Sequence, residues 1–206
     1  MHLVIGTVSF HSIKKKKKNL AGKDVNVHMR IYNHVRSGNW IATNDFLARH
    51  PEVISSNTTD MGKTLLHMAV FLGHGHIVME LVDQMSVEHL KITDRLGYTA
   101  LAETTLIGNK QMAECMLGKH MNLISITTKW GLLPVVLAAF HRKIEFARYL
   151  YQHTPLPSLQ EKDGYNGGIL IIQAIYTRQF GKTFFNSQYP FAVIIPNLRR
   201  KYFPIV

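Results

Sequence analysis

The chain has 206 residues, 24 Lys and Arg against 13 Asp and Glu, a formal charge of +11 and one cysteine. That length allows one sizeable core or a stack of about four to six small repeats, and the lone Cys115 excludes an intramolecular disulfide framework and fits a reducing compartment. The excess charge lies at the ends: Lys14 to Lys18 and Lys182, Arg199, Arg200 and Lys201 account for nine positives, leaving 15 basic residues against 13 acidic ones, so no basic nucleic-acid footprint is expected on the folded part.

In chain order, Met1 to Ile13 is mildly apolar and precedes the lysine run, the reverse of the order in a secretory signal. Residues 1–22 therefore read as a disordered basic segment. The lysines admit three roles: a solvated tail, a nuclear import signal, or a hook for anionic lipid at a membrane surface. A repeat then begins. Gly62-Lys63-Thr64-Leu65-Leu66-His67-Met68-Ala69 recurs as Gly97-Tyr98-Thr99-Ala100-Leu101-Ala102-Glu103-Thr104 and again as Gly131-Leu132-Leu133-Pro134-Val135-Val136-Leu137-Ala138, at a period of about 34–35 positions. A second marker keeps the same interval at Gly38-Asn39, Gly73-His74, Gly108-Asn109 and Arg142-Lys143.

Each unit reads as a turn, a short helix, a loop and a second helix. Asp60-Met61-Gly62 and Asp94-Arg95-Leu96-Gly97 supply tight turns in which Gly accepts a positive φ. Thr64 and Thr99 stand where an N-cap hydroxyl can bond free backbone N–H groups, and Pro134 fits a first helical turn. The second helices carry apolar residues at three- and four-residue spacing: Ile77, Val78, Leu81 and Val82; Met112, Ala113, Met116 and Leu117; Ile144, Phe146, Ala147 and Leu150. Helices of about ten residues are marginal alone, so only stacking buries those faces.

The pattern G-x-T-P-L-H-x-A followed by G-H, best kept at Gly62 to His74, resembles the ankyrin repeat. Gly38-Asn39-Trp40, Phe46 to Pro51, Asp94 to Leu101 and Gly108 to Met116 are similar to plant ankyrin proteins that carry a C-terminal membrane domain of the PGG type. The resemblance covers about residues 26 to 180 and implies an all-α ankyrin solenoid with repeats of about 33–35 residues. The repeats fall at about 26–59, 60–93, 94–128 and 129–162, with a degenerate copy at 163–180 and an irregular tail at 181–206. Repeat two departs from the pattern at Ala100, Ala102 and Thr104-Thr105. Arg142 replaces the loop glycine, which argues against a left-handed turn there, and Gly167-Gly168 point to a register shift of about three residues near Gly164. After Gly181 the prolines at 190, 196 and 204 break any helix, and an apolar, aromatic tail stands where a polar cap is expected, as in a truncated product.

Other signals are weaker. Gly62-Lys63-Thr64 and Gly181-Lys182-Thr183 lack the earlier glycine of a phosphate-binding loop, having Asn57 and Tyr176 there. His67, His74 and His76 lack a fourth ligand for zinc, and the first two fall at ankyrin positions where His bonds the adjoining turn and loop. Cys115, on a second helix with no activating base, reads as a packed small hydrophobe. Asn57-Thr58-Thr59 is a glycosylation sequon with meaning only in a secreted chain. No catalytic, cofactor-binding or metal residues are therefore expected. No stretch reaches the roughly 18–20 apolar residues of a membrane span.

What the resemblance implies is a non-catalytic protein-binding scaffold, an adaptor in plant stress or defence signalling, in the cytoplasm or at the inner face of the plasma membrane. The alternative is the cytosolic regulatory part of a transporter or channel-like ankyrin protein without its spans. Ankyrin arrays bind through turn tips and first-helix faces, which here are Asp60, Met61 and Lys63, then Arg95, Leu96 and Tyr98, then Lys129, Trp130 and Leu132. Trp130 either faces a partner or packs on the adjacent turn.

Overall fold

The computed structural model describes residues 24–176, and among these the fold is all-α. The expectations placed on residues 1–22, on 177–180 and on the tail 181–206 lie outside the described residues. Helix α1 (Asp24–Arg36) is followed by α2 (Trp40–Arg49), α3 (Leu65–Phe71), α4 (Gly75–Gln84), the single turn α5 (Val87–Leu90), α6 (Ala100–Ile107), α7 (Lys110–Lys119), α8 (Pro134–Phe140), α9 (Ile144–His153) and α10 (Leu156–Tyr176), with short 3-10 turns at Pro51–Ile54 and Met121–Ser125.

The helices come as short first members and longer second members joined by brief loops. Within a pair, α3 packs on α4, α6 on α7 and α8 on α9. Between pairs, first helices touch first helices (α1 on α3, α3 on α6, α6 on α8), and α4 touches α7. First helices are consequently buried almost all round: every residue from Leu65 to Val70, from Ala100 to Thr105 and from Pro134 to Ala139 is buried. Second helices bury one stripe, Ile77, Val78, Leu81 and Val82 in α4, and Met112, Ala113, Met116 and Leu117 in α7, as their spacing predicts. These residues form one continuous core running through the pairs.

Two sets of left-handed residues hold the period. Gly62 (φ 74°), Gly97 (81°), Gly131 (73°) and Gly164 (76°) recur at the turns, and Gly38 (71°), Gly73 (77°), Gly108 (76°) and Arg142 (56°) at the helix-to-helix loops. Arg142 thus adopts the left-handed turn that its side chain argues against. The reason is local: Arg142 N–H and Lys143 N–H bond the Ala139 and Ala138 carbonyls, as Gly73 and His74 bond Val70 and Ala69. Closing the loop in this way overrides a backbone preference of about 1–2 kcal/mol. The expected register shift near Gly167-Gly168 is also absent, because Gly164 follows Gly131 by one full period in the same conformation. Helix α10 spans that point, but Lys162 (φ 51°) and Gly164 are left-handed within it, so its axis cannot run straight through.

Helix ends are closed by side chains. Asn39 and Asn109 accept from Ala42 N–H and Met112 N–H at 3.0 and 3.1 Å, and Thr99 accepts from Ala102 N–H at 3.2 Å. At the far end of α4, the Lys119 ammonium from α7 donates to the Val82 and Asp83 carbonyls, tying one second helix to the next through otherwise free acceptors.

Candidate functional site

The turn that precedes each first helix is built the same way three times. Gly62, Gly97 and Gly131 N–H groups donate to the carbonyls of Thr59, Asp94 and Thr128. The side chains of those three residues accept from Lys63, Tyr98 and Leu132 N–H groups at 3.1, 2.9 and 3.3 Å. Asp94 also takes Leu96 N–H at 2.9 Å. The structural counterpart of Asp94 is therefore Thr59, not Asp60, which stands exposed at the tip in the place of Arg95 and Lys129.

Adjacent tips are joined by backbone hydrogen bonds. Arg95 N–H donates to Met61 O at 2.8 Å and Lys129 N–H to Leu96 O at 3.1 Å. Such an approach needs glycine behind it: a Cβ on Gly97 would sit 2.5 Å from Lys129 N and 3.0 Å from the Thr128 carbonyl carbon. At the last described turn a side chain takes over. Asn166 accepts from Leu133 N–H at 3.0 Å and donates to Gly131 O at 2.9 Å.

This ladder sets the nine sequence-predicted residues in three rows. Asp60, Arg95 and Lys129 are exposed at the tips. Beside them Met61, Leu96 and Trp130 form an exposed apolar row, in which Trp130 is 56% exposed. In the third row Tyr98 and Leu132 are half-buried, while Lys63 turns inward. Its ammonium lies 2.6 Å from the Glu103 carboxylate, 3.9 Å from Asp94 and 5.7 Å from the centre of the Phe71 ring. Lys63 is thereby committed to an ion pair between α3's turn and α6. Burial pushes the Glu103 carboxyl above the usual range, with Lys63 opposing that shift. The Tyr98 phenol is likewise raised, first by burial and then by Glu103 and Asp94.

His67 locks this network from below. Its Nε2–H donates to Tyr98 O at 2.9 Å across the repeat boundary, and its Nδ1 accepts from Thr64 N–H at 3.3 Å and faces Thr64 Oγ1 at 2.8 Å. A carbonyl on one side and an N–H on the other fix the neutral Nε2–H tautomer. Burial lowers its pKa from 6.5 to about 4, and nearby Lys63 acts in the same direction. His74 and His76 serve the other side of the stack, reaching the Arg36 and Gly38 carbonyls at 3.3 and 3.1 Å. All three histidines bond backbone, and among the described residues no group of three His, Cys, Asp or Glu side chains is placed to hold a metal ion. Cys115 is half-buried, and burial raises its thiol pKa, the opposite of what a nucleophile needs.

Three exposed residues outside the predicted set also recur with the repeat. Phe71, Leu106 and Phe140, at the ends of the first helices, are exposed and follow one another at the repeat period. In the first of these units the Lys63 ammonium, from the turn that precedes α3, lies 5.7 Å from the centre of the Phe71 ring at its end. Their signal was present in the sequence as a third periodic marker, but one made of different residue types. No family model matches the chain. Among the described residues no helix is long and apolar enough to cross a membrane.

Proposed function

We propose that the chain is an ankyrin-type, non-catalytic module that binds a protein partner along its tips and first-helix ends. The observation that carries this reading is the pair of exposed apolar rows, Met61, Leu96 and Trp130 beside Phe71, Leu106 and Phe140, repeating with the fold. Single exposed hydrophobes are ordinary on protein surfaces, whereas rows of them that recur with the fold are what a repeated binding surface would present. Trp and Tyr on such a patch dominate binding energies, at about 2 kcal/mol or more each. The left-handed turns, the capped short helices and the tip-to-tip hydrogen bonds support the ankyrin assignment, since they are what a repeat needs in order to stack.

The test is capture of partners from cell extract by the intact chain and by Trp130→Ala/Tyr98→Ala. The double variant should recover the same partners at least tenfold less. Unchanged recovery would place binding somewhere else on the molecule.

A further inference from the structure

The leading positions of the turns differ in charge from the body that carries them. Residues 24–176 contain 13 basic and 13 acidic side chains, so the described part of the chain is formally neutral. Yet the leading tip positions read Asp60, Arg95, Lys129 and Lys162, one acid and three bases, all exposed. Several bases elsewhere on the surface are matched: Arg49 with Asp45, Lys91 with Glu88, Lys110 with Glu114 and Arg148 with Glu145, each within one element or at its edge. Among the described side chains no carboxylate pairs with Arg95, Lys129 or Lys162. The Lys162 ammonium lies over Gly131, where a Cβ would meet it at 3.1 Å, and Lys129 precedes Trp130 directly.

From this we infer that the occupant of the face is an acidic polypeptide segment punctuated by large apolar side chains. The inference rests on reading the face as a docking surface and adds to it the chemistry of the partner. Apolar side chains of the segment cover Leu96, Trp130 and Phe140, and its carboxylates meet Arg95, Lys129 and Lys162. Stacked helices lie about 10 Å apart, so an extended strand rising about 3.3 Å per residue passes one repeat every three residues. A neutral body with three spaced cations and aliphatic Leu96 between two of them suits such a peptide better than nucleic acid, whose binders carry a broad positive field. The chain's own ends do not fit, because Lys14–Lys18 and Lys182 to Lys201 would repel the same cations.

The experiment uses the full chain at low salt and labelled peptides about twelve residues long, enough for four tips at three residues each. They repeat Leu-Asp-Glu, Leu-Asn-Gln or Leu-Lys-Lys, and an oligothymidylate of matching charge is the fourth probe. Binding is read by fluorescence anisotropy. The acidic peptide should bind about tenfold more tightly than the neutral one, as expected of three exposed ion pairs, and its advantage should shrink with added salt. Arg95→Glu/Lys129→Glu should remove that preference or turn it towards the Lys peptide, and Arg95→Gln/Lys129→Gln should fall between. Equal binding of the acidic and neutral peptides overturns the inference. So does an acidic preference untouched by the tip variants, which would assign it to the lysine-rich ends, and so does tighter binding of the oligothymidylate. Trp130→Ala separates the two readings. If it weakens all peptides equally while no charge preference exists, the docking face stands and only its charge selection is wrong; if it weakens none, both fall.

Discussion

Replacing His67 with Gln tests the buried network most directly. Gln at this third helical position, after a Thr N-cap, can still reach back to the Thr64 N–H, so the substitution removes the titrating ring with little damage to the cap. In the folded protein the ring stays neutral down to pH about 4, whereas in the unfolded chain it takes up a proton near 6.5. Between those values the unfolded state binds more protons, so stability falls as the pH drops from above 6.5 to 4. At about 1.4 kcal/mol per pKa unit, the drop from 6.5 to about 4 corresponds to about 3 kcal/mol. Glu103 works the other way: its raised pKa means that acid relieves a buried carboxylate in the folded state, but that contribution is common to both proteins. Urea unfolding followed by circular dichroism, at intervals from about pH 7.5 to 4, should show wild type losing about 3 kcal/mol more than His67→Gln. Parallel pH profiles would refute the neutral, doubly bonded ring.

Further outcomes follow from single positions. Gly73→Ala and Gly97→Ala share a positive φ, but only the second brings a Cβ into backbone, so the first should cost about 1–2 kcal/mol and the second at least about 2 kcal/mol more in thermal or urea melts. Equal costs would mean that the tips are not held together as described. Arg142→Gly relieves a left-handed non-glycine residue and should raise Tm by about 2–4 °C in calorimetry; no rise would show the loop to be unstrained. Lys63→Met leaves Glu103 buried without its cation and should cost about 3 kcal/mol, while adding Glu103→Leu should recover most of it in a double-mutant cycle. Additive effects of the two changes would dissolve the pair.

Much of the architecture is legible without coordinates because it is set by local chemistry. Glycine at a fixed interval marks where φ must be positive, Thr99 and Asn109 mark helix starts through hydrogen bonds to backbone within the next turn, and the stripe Ile77, Val78, Leu81 and Val82 states which side of α4 is buried. Local rules misled at Arg142, where loop closure outweighs the side chain's preference, and at Asp60, which resembles Asp94 in sequence but occupies the tip instead of the turn's base. Lys63 illustrates a different limit. Its sequence position makes it a tip residue, yet its partner Glu103 belongs to the next unit, and only the stacking of α3 on α6 brings them to 2.6 Å.

Repeat length, helix pairs, capping residues and most of the exposed tips are readable from residue order, since each depends on contacts within one unit. Only the stacking of the units shows which side chains are paired internally and which charges stay exposed. It joins Lys63 to Glu103, Asn166 to Gly131 and His67 to the Tyr98 carbonyl, and leaves Arg95, Lys129 and Lys162 exposed. Such pairings depend on distances between repeats, which side-chain identity does not encode until the stack has formed.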